Sequence, residues 1–99
     1  MEHWVSVLLH GSFDVDEAAD LRRTLSTLIS PAGIVRVDLH DVEHLGRAAV
    51  IALVDTGRAA RWIGCEFVVV ASSSMMGHLC GGLDHEDRAL LGLHTIDGA

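Results

Sequence analysis

The sequence predicts an α/β domain built on an at least partly parallel sheet. Two kinds of apolar pattern alternate along the chain. Trp4 to Leu9 and Ile34 to Leu39 alternate with the two-residue period of strands, and Phe67 to Ala71 is a short continuous apolar run. Between them, Ala18 to Ile29 and about Arg47 to Ile63 carry apolar residues at helical spacing. Strands interleaved with helices make βαβ units, whose strands run parallel and whose helices lie along the sheet. The 99 residues, 49% of them hydrophobic, suffice for one modest core. The whole chain, residues 1–99, is therefore expected to be a single domain.

In the first strand Val5, Val7 and Leu9 share one face, with Trp4 and Leu8 on the other. His10-Gly11-Ser12 reads as a turn. Asp14 with Glu17 gives a helix-start signal, and the stripe Ala18, Leu21, Leu25, Leu28 and Ile29 follows. Ser30-Pro31-Ala32-Gly33 stops that helix. In the second strand Val35, Val37 and Leu39 alternate with Arg36 and Asp38, and His40 to Gly46 reads as a loop. The second helix should bury Val50, Leu53, Val54, Gly57 and Ala60 or the stem of Arg61, and end at Gly64. Gly57 costs about 1 kcal/mol against Ala in a helix, which suggests close packing there. The run Phe67 to Ala71 suggests a central strand covered on both faces. Ser72-Ser73-Ser74 can cap a short helix carrying Met75, Met76, Leu79 and Cys80, ended by Gly81-Gly82. Asp84-His85-Glu86-Asp87 reads as a solvated loop, and Leu90 to Leu93 as a last short strand.

Aromatic residues are only 4% and Tyr is absent, so the core must be aliphatic. Seven basic residues, all Arg, face 14 acidic ones, for a net charge of −7. That balance argues against a nucleic-acid partner, which needs a positive surface. It suits a protein partner with a complementary basic patch. Cys65 and Cys80 lie 15 residues apart with no C-x-x-C pair, so two reduced thiols are expected, with no metal and no cofactor. The sequence shows no signal peptide and no apolar run of about 20 residues, which predicts a cytoplasmic protein without membrane insertion.

Several segments follow one another in an ungapped order. They are Leu8-Leu9-His10-Gly11-Ser12-Phe13-Asp14, the apolar positions Ala18, Leu21, Leu25 and Leu28, and Ile34 to Leu39 with Val42 and Leu45. Gly64 with Phe67 to Val70, and Gly82-Leu83-Asp84, complete the series. Over nearly the whole chain this order resembles the STAS domains, which include the anti-sigma factor antagonists and the cytoplasmic tails of sulfate transporters. The resemblance implies a STAS-like mixed sheet of four to five strands with about three helices packed on it. It also implies a non-catalytic role in transcription regulation through partner switching, by binding an anti-sigma factor or related kinase-fold protein. The surface so implied is the helix start Gly46, Arg47, Ala48, Ala49 and Val50 with the adjacent loops at Asp14 and Ser72.

Two departures qualify the likeness. The family hallmark at this helix start is D-S-S-G or D-S/T-x-G, whose first Ser takes the phosphate in regulated members. This chain reads Gly46-Arg47-Ala48-Ala49. Phosphoserine carries about −1.5 to −2 charges; Arg47 is fixed positive, so the phosphosite is degenerate. Many members also continue into a further helix, where this chain has only Thr95 to Ala99. That predicts an uncovered apolar surface used by a homodimer or an obligate partner.

Other features have simpler readings. Arg47 can pair with an acidic group on a partner, can join the helix N-terminus in holding an anion, or can be merely solvated. The alternatives to the regulator are accordingly an anion- or nucleotide-binding module and a soluble accessory subunit of a membrane transporter. His40-Asp41-Val42-Glu43-His44 is not H-E-x-x-H and carries no metal expectation. Ser72 to Ser74 are explained by capping rather than phosphorylation. Asp55-Thr56-Gly57 imitates the hallmark out of register. No nucleophile–base set has motif context, so no enzyme is expected.

Overall fold

Strand and helix alternate as the periodicity predicts, and each strand lies beside its neighbour in sequence. The structure, a computed structural model, describes residues 4–95. The elements are β1 (Trp4–Phe13), α1 (Val15–Leu28), β2 (Ile34–Leu45), α2 (Arg47–Ile63), β3 (Glu66–Ala71), α3 (Ser73–Gly81), α4 (His85–Leu91) and β4 (Leu93–Thr95). The four described strands form one sheet in the order β1-β2-β3-β4, and every pairing is parallel. The expectation of a mixed sheet with about three helices is thus corrected. Among the described residues there are four helices and no antiparallel pair.

The sequential order has a consequence. A crossover between parallel strands is right-handed in nearly all cases. When each strand adds to the same edge, every crossover helix falls on the same face. That face holds the core: Val35, Val37 and Leu39 of β2 and Phe67, Val69 and Ala71 of β3 are buried beneath Leu21 and Leu25 of α1, Leu53 of α2, Leu79 of α3 and Leu91 of α4. At roughly 1.5–3 kcal/mol for each fully buried aliphatic side chain, these contacts outweigh local propensity.

The other face carries three outward rows. Trp4, Ile34 and Glu66 form the first, Ser6, Arg36 and Val68 the second, and Leu8, Asp38, Val70 and His94 the third. Trp4 is 62% and Leu8 57% exposed. The shallow depression on this face is lined only by strand residues. The expectation that β3 is covered on both faces holds only in part: β3 is internal to the sheet and helices cover one side of it, while on the other Val70 is buried, Val68 half-buried and Glu66 exposed.

Several boundaries move. His10-Gly11-Ser12 is strand, not turn. Gly11 takes φ +88°, and the β1–β2 register slips between Leu8 and His10 and between Gly11 and Ser12, as β-bulges allow. His40 to Leu45 continues β2 instead of forming a loop, with Val42 and Leu45 turned inward. Asp84 to Asp87 is not a loop. Asp84 caps α4 through its Oδ1, which accepts the Asp87 N–H at 2.9 Å. Leu90 and Leu91 belong to α4, and the last strand starts at Leu93. Of the α2 stripe, Leu53, Val54, Gly57 and Ala60 are buried but Val50 only half; Ala49, Ala52 and Thr56 join them. Thr56 Oγ1 donates to the Ala52 carbonyl at 2.8 Å, which satisfies its buried hydroxyl.

Gly64 ends α2 in the left-handed conformation at φ +82°, as expected. Both cysteines are free; Cys65 is buried and Cys80 partly so. Among the described residues no helix is long and apolar enough to cross a membrane. Residues 96–99, part of the expected truncated ending, lie outside the described residues.

Candidate functional site

Asp14, Gly46 and Ser72 each follow the last residue of a strand: β1, β2 and β3 respectively. Because those strands are parallel neighbours, the three residues stand side by side along the carboxyl edge of the sheet. In open α/β sheets this edge is where ligands and partners gather, because helix starts and loops converge there. The Gly46 N–H donates to the Phe13 carbonyl at 2.8 Å, which ties the start of α2 to the end of β1.

Gly46 has little room for a side chain. A Cβ there would stand 3.0 Å from the Phe13 carbonyl oxygen, 3.5 Å from Asp14 Oδ1 and 3.7 Å from His44 Nε2. The Asp that the hallmark motif puts at this position would set its carboxylate beside that of Asp14. Asp14 does not cap α1 with its side chain. Its Oδ1 instead lies 3.4 Å from Nε2 of His44.

Arg47 opens α2, is exposed, and makes no ion pair among the described residues. Ala48 and Val50 are half-buried. Ala49 is completely buried, so it packs beneath the surface and cannot touch a partner. Ser72 is half-buried and caps α3, its Oγ accepting the Met75 N–H at 3.2 Å. The expected capping role of this serine run is thus present at Ser72.

The structure adds residues that the sequence did not single out. A notch between α2, α3 and α4 is lined by Arg47, Val50, Ile51, Leu79, Leu83 and Asp87, among others. Ile51 is 43% exposed there. The notch holds about 280 Å³, at the lower limit of the roughly 300–1,000 Å³ of small-molecule pockets. His78, on its rim, donates from Nε2 to the Leu45 carbonyl at 3.0 Å and so ties α3 to the residues just before α2. Asp87 reaches Arg58 at 3.4 Å, joining α4 to α2.

The electrostatics are mixed. Arg47 is the positive group at the helix start, but Asp87 shares its notch and Asp14 sits beside Gly46. Those carboxylates offset the attraction of the helix N-terminus for a phosphate. No group of three or more His, Cys, Asp or Glu side chains able to hold a metal occurs among the described residues. His40, Asp41, Glu43 and His44 lie on an extended strand around the buried Val42. Compared with known proteins, the chain matches no family model and no curated protein.

Proposed function

We propose that this chain is a non-catalytic, STAS-type regulator that binds a protein partner through the carboxyl edge of its sheet. By the resemblance described above, the partner is an anti-sigma factor or serine kinase of the histidine-kinase-like ATPase fold, in the cytoplasm. The observation that carries the reading is Arg47: an exposed charge with no ion pair among the described residues, next to a notch walled by Val50, Ile51 and Leu83. A fixed charge beside apolar area suits protein recognition, in which the charge sets orientation and the apolar contact supplies affinity.

With Arg47 in place of a phosphorylatable serine, binding is constitutive with respect to phosphorylation at that position. Asp14 and Ser72 flank the contact, and Ala49 holds the helix start in place from below.

The test begins with capture of partners from the native host on the immobilised protein, followed by calorimetry with the purified partner. Reversing the charge with Arg47→Glu is expected to weaken binding by about 10- to 100-fold, equivalent to roughly 1.4–2.8 kcal/mol. Placing a charge in the notch with Ile51→Asp should act in the same direction. Unchanged affinity in both variants would refute this surface as the docking site.

A further inference from the structure

The open face of the sheet is the second surface that needs an explanation. All-parallel sheets are normally covered on both sides, because each strand carries apolar residues on both. Here, among the described residues, no helix covers the second side, which displays Trp4, Leu8, Ile34 and Val68. The stretches Trp4–Leu8, Ile34–Asp38 and Glu66–Val70 with β4 beside them, at about 3.3 Å per residue and 4.8 Å spacing, make a patch of roughly 300 Å². That is the size of the largest apolar patch on an ordinary monomer, which is often a functional one. Two such patches together bury about 600 Å², a small interface that suits reversible association.

Charge narrows the choice of occupant. The chain carries 14 acidic residues, yet the three outward rows hold only Asp38 and Glu66, against Arg36. A surface close to neutral on a strongly acidic chain is where an equally acidic molecule meets least repulsion. Arg36 has only a long ion pair, 3.9 Å to Asp38. Glu66 is exposed and has no ion pair among the described residues.

We propose that this face pairs with the same face of a second copy of the chain across a two-fold axis. Arg36 and Glu66 lie on adjacent strands, two residues apart in register, or about 8 Å. An axis in the interface plane that exchanges these two positions sets each Arg36 against Glu66 of the other copy, twice over. The same operation brings Trp4, Ile34 and Val68 close to their own counterparts. It crosses the two sets of strands steeply, nearer to the orthogonal arrangement of packed sheets than to the aligned one. The surface is separate from the Arg47 edge, so this proposal and the proposed function stand or fall independently.

The test is sedimentation of the full chain from about 5 to 200 µM, with circular dichroism and thermal melting to check folding. The expected result is the mass of two chains, dissociating on dilution. Arg36→Glu and Glu66→Arg should each weaken the dimer at least 10-fold. Both changes in one chain should restore it to within a few-fold, since each new Glu then meets a new Arg. If Arg36→Glu impairs folding, Glu66→Arg, at an exposed position, keeps the test valid: weakened association supports the interface and undisturbed association counts against it. The proposal is overturned by a single-chain mass at 200 µM, by a dimer indifferent to both single reversals, or by a folded double variant that remains dissociated.

Discussion

Gly57 offers a test in which two effects of known size oppose each other. It sits inside α2, where Ala is favoured over Gly by about 1 kcal/mol. Propensity alone therefore predicts that Gly57→Ala stabilises the protein. The structure predicts the reverse. A Cβ at Gly57 would collide with the carbonyl oxygen of Leu90 and stand 3.3 Å from the ring of Phe67. The Leu90 carbonyl belongs to the backbone of α4 and cannot swing aside as a side-chain tip would. Overpacking of this kind costs about 1–3 kcal/mol, and the fixed obstacle argues for the upper half of that range. After subtracting the propensity gain, a net loss of about 1–2 kcal/mol remains. For a domain of this size each kcal/mol corresponds to roughly 4–8 °C in Tm, so the variant should melt about 5–15 °C lower. Gly77 supplies the control. It lies inside α3 with nothing within 4 Å of the position a Cβ would take, so Gly77→Ala should raise stability by about 0.5–1 kcal/mol. Urea and thermal unfolding followed by circular dichroism measure both. Equal shifts of the same sign in the two variants would refute the packing argument and leave propensity as the whole effect.

Two further predictions concern the frame around the proposed docking edge. Ser72→Ala removes the side-chain cap of α3 and should cost about 1 kcal/mol, read as a Tm decrease of about 4–8 °C; an unchanged Tm would mean that water replaces the cap without loss. Asp55 holds Arg22 of α1 at 2.8 Å and Arg58 at 3.4 Å. Its side chain is 35% exposed and that of Arg22 50%, so solvent screening limits Asp55→Asn to under about 1 kcal/mol. That small difference should shrink further in 0.5 M salt; a loss above about 2 kcal/mol that ignores salt would contradict a screened surface network.

What the sequence made legible is what depends on neighbours in the chain. The bounds of α2, its end at Gly64 and the serine cap of α3 follow from periodicity and local hydrogen bonding. The extensions of β1 and β2 were hidden for a physical reason. Leu39, Val42 and Leu45 all turn inward although they are three residues apart, which violates a strict strand period. The slipped register between β1 and β2 takes up the mismatch, and a slip involves two strands that no single stretch of sequence reveals. Helix α4 had legible signals, Asp84 as cap and Gly92 as stop, but seven residues are too few to establish a helical period. The site divides the same way. Arg47 and Ser72 declare themselves by their place at helix starts. His44 at Asp14, His78 at Leu45 and Asp87 beside Arg58 are contacts across elements, so their residue types alone gave no sign of them.

One topological feature governs both proposed surfaces. In doubly wound sheets the strand order reverses, helices go to both faces, and the reversal opens a crevice at the carboxyl edge for a small ligand. This sheet never reverses its order among the described strands. Among the described residues its carboxyl edge instead carries adjoining helix starts with two shallow hollows of about 280 Å³ each, one beside Ser72 and His44 and one beside Arg47 and Ile51. The same lack of reversal leaves the second face without helices among the described residues. Pairing that face with a second copy would turn both helix layers outward and keep both Arg47 edges accessible. Each dimer would then offer two equivalent docking sites. A partner that is itself dimeric would gain from the second contact through effective concentration rather than through any new interaction. Among the described residues, the helix-free face and the shallow hollows at the carboxyl edge are thus a single consequence of strand order.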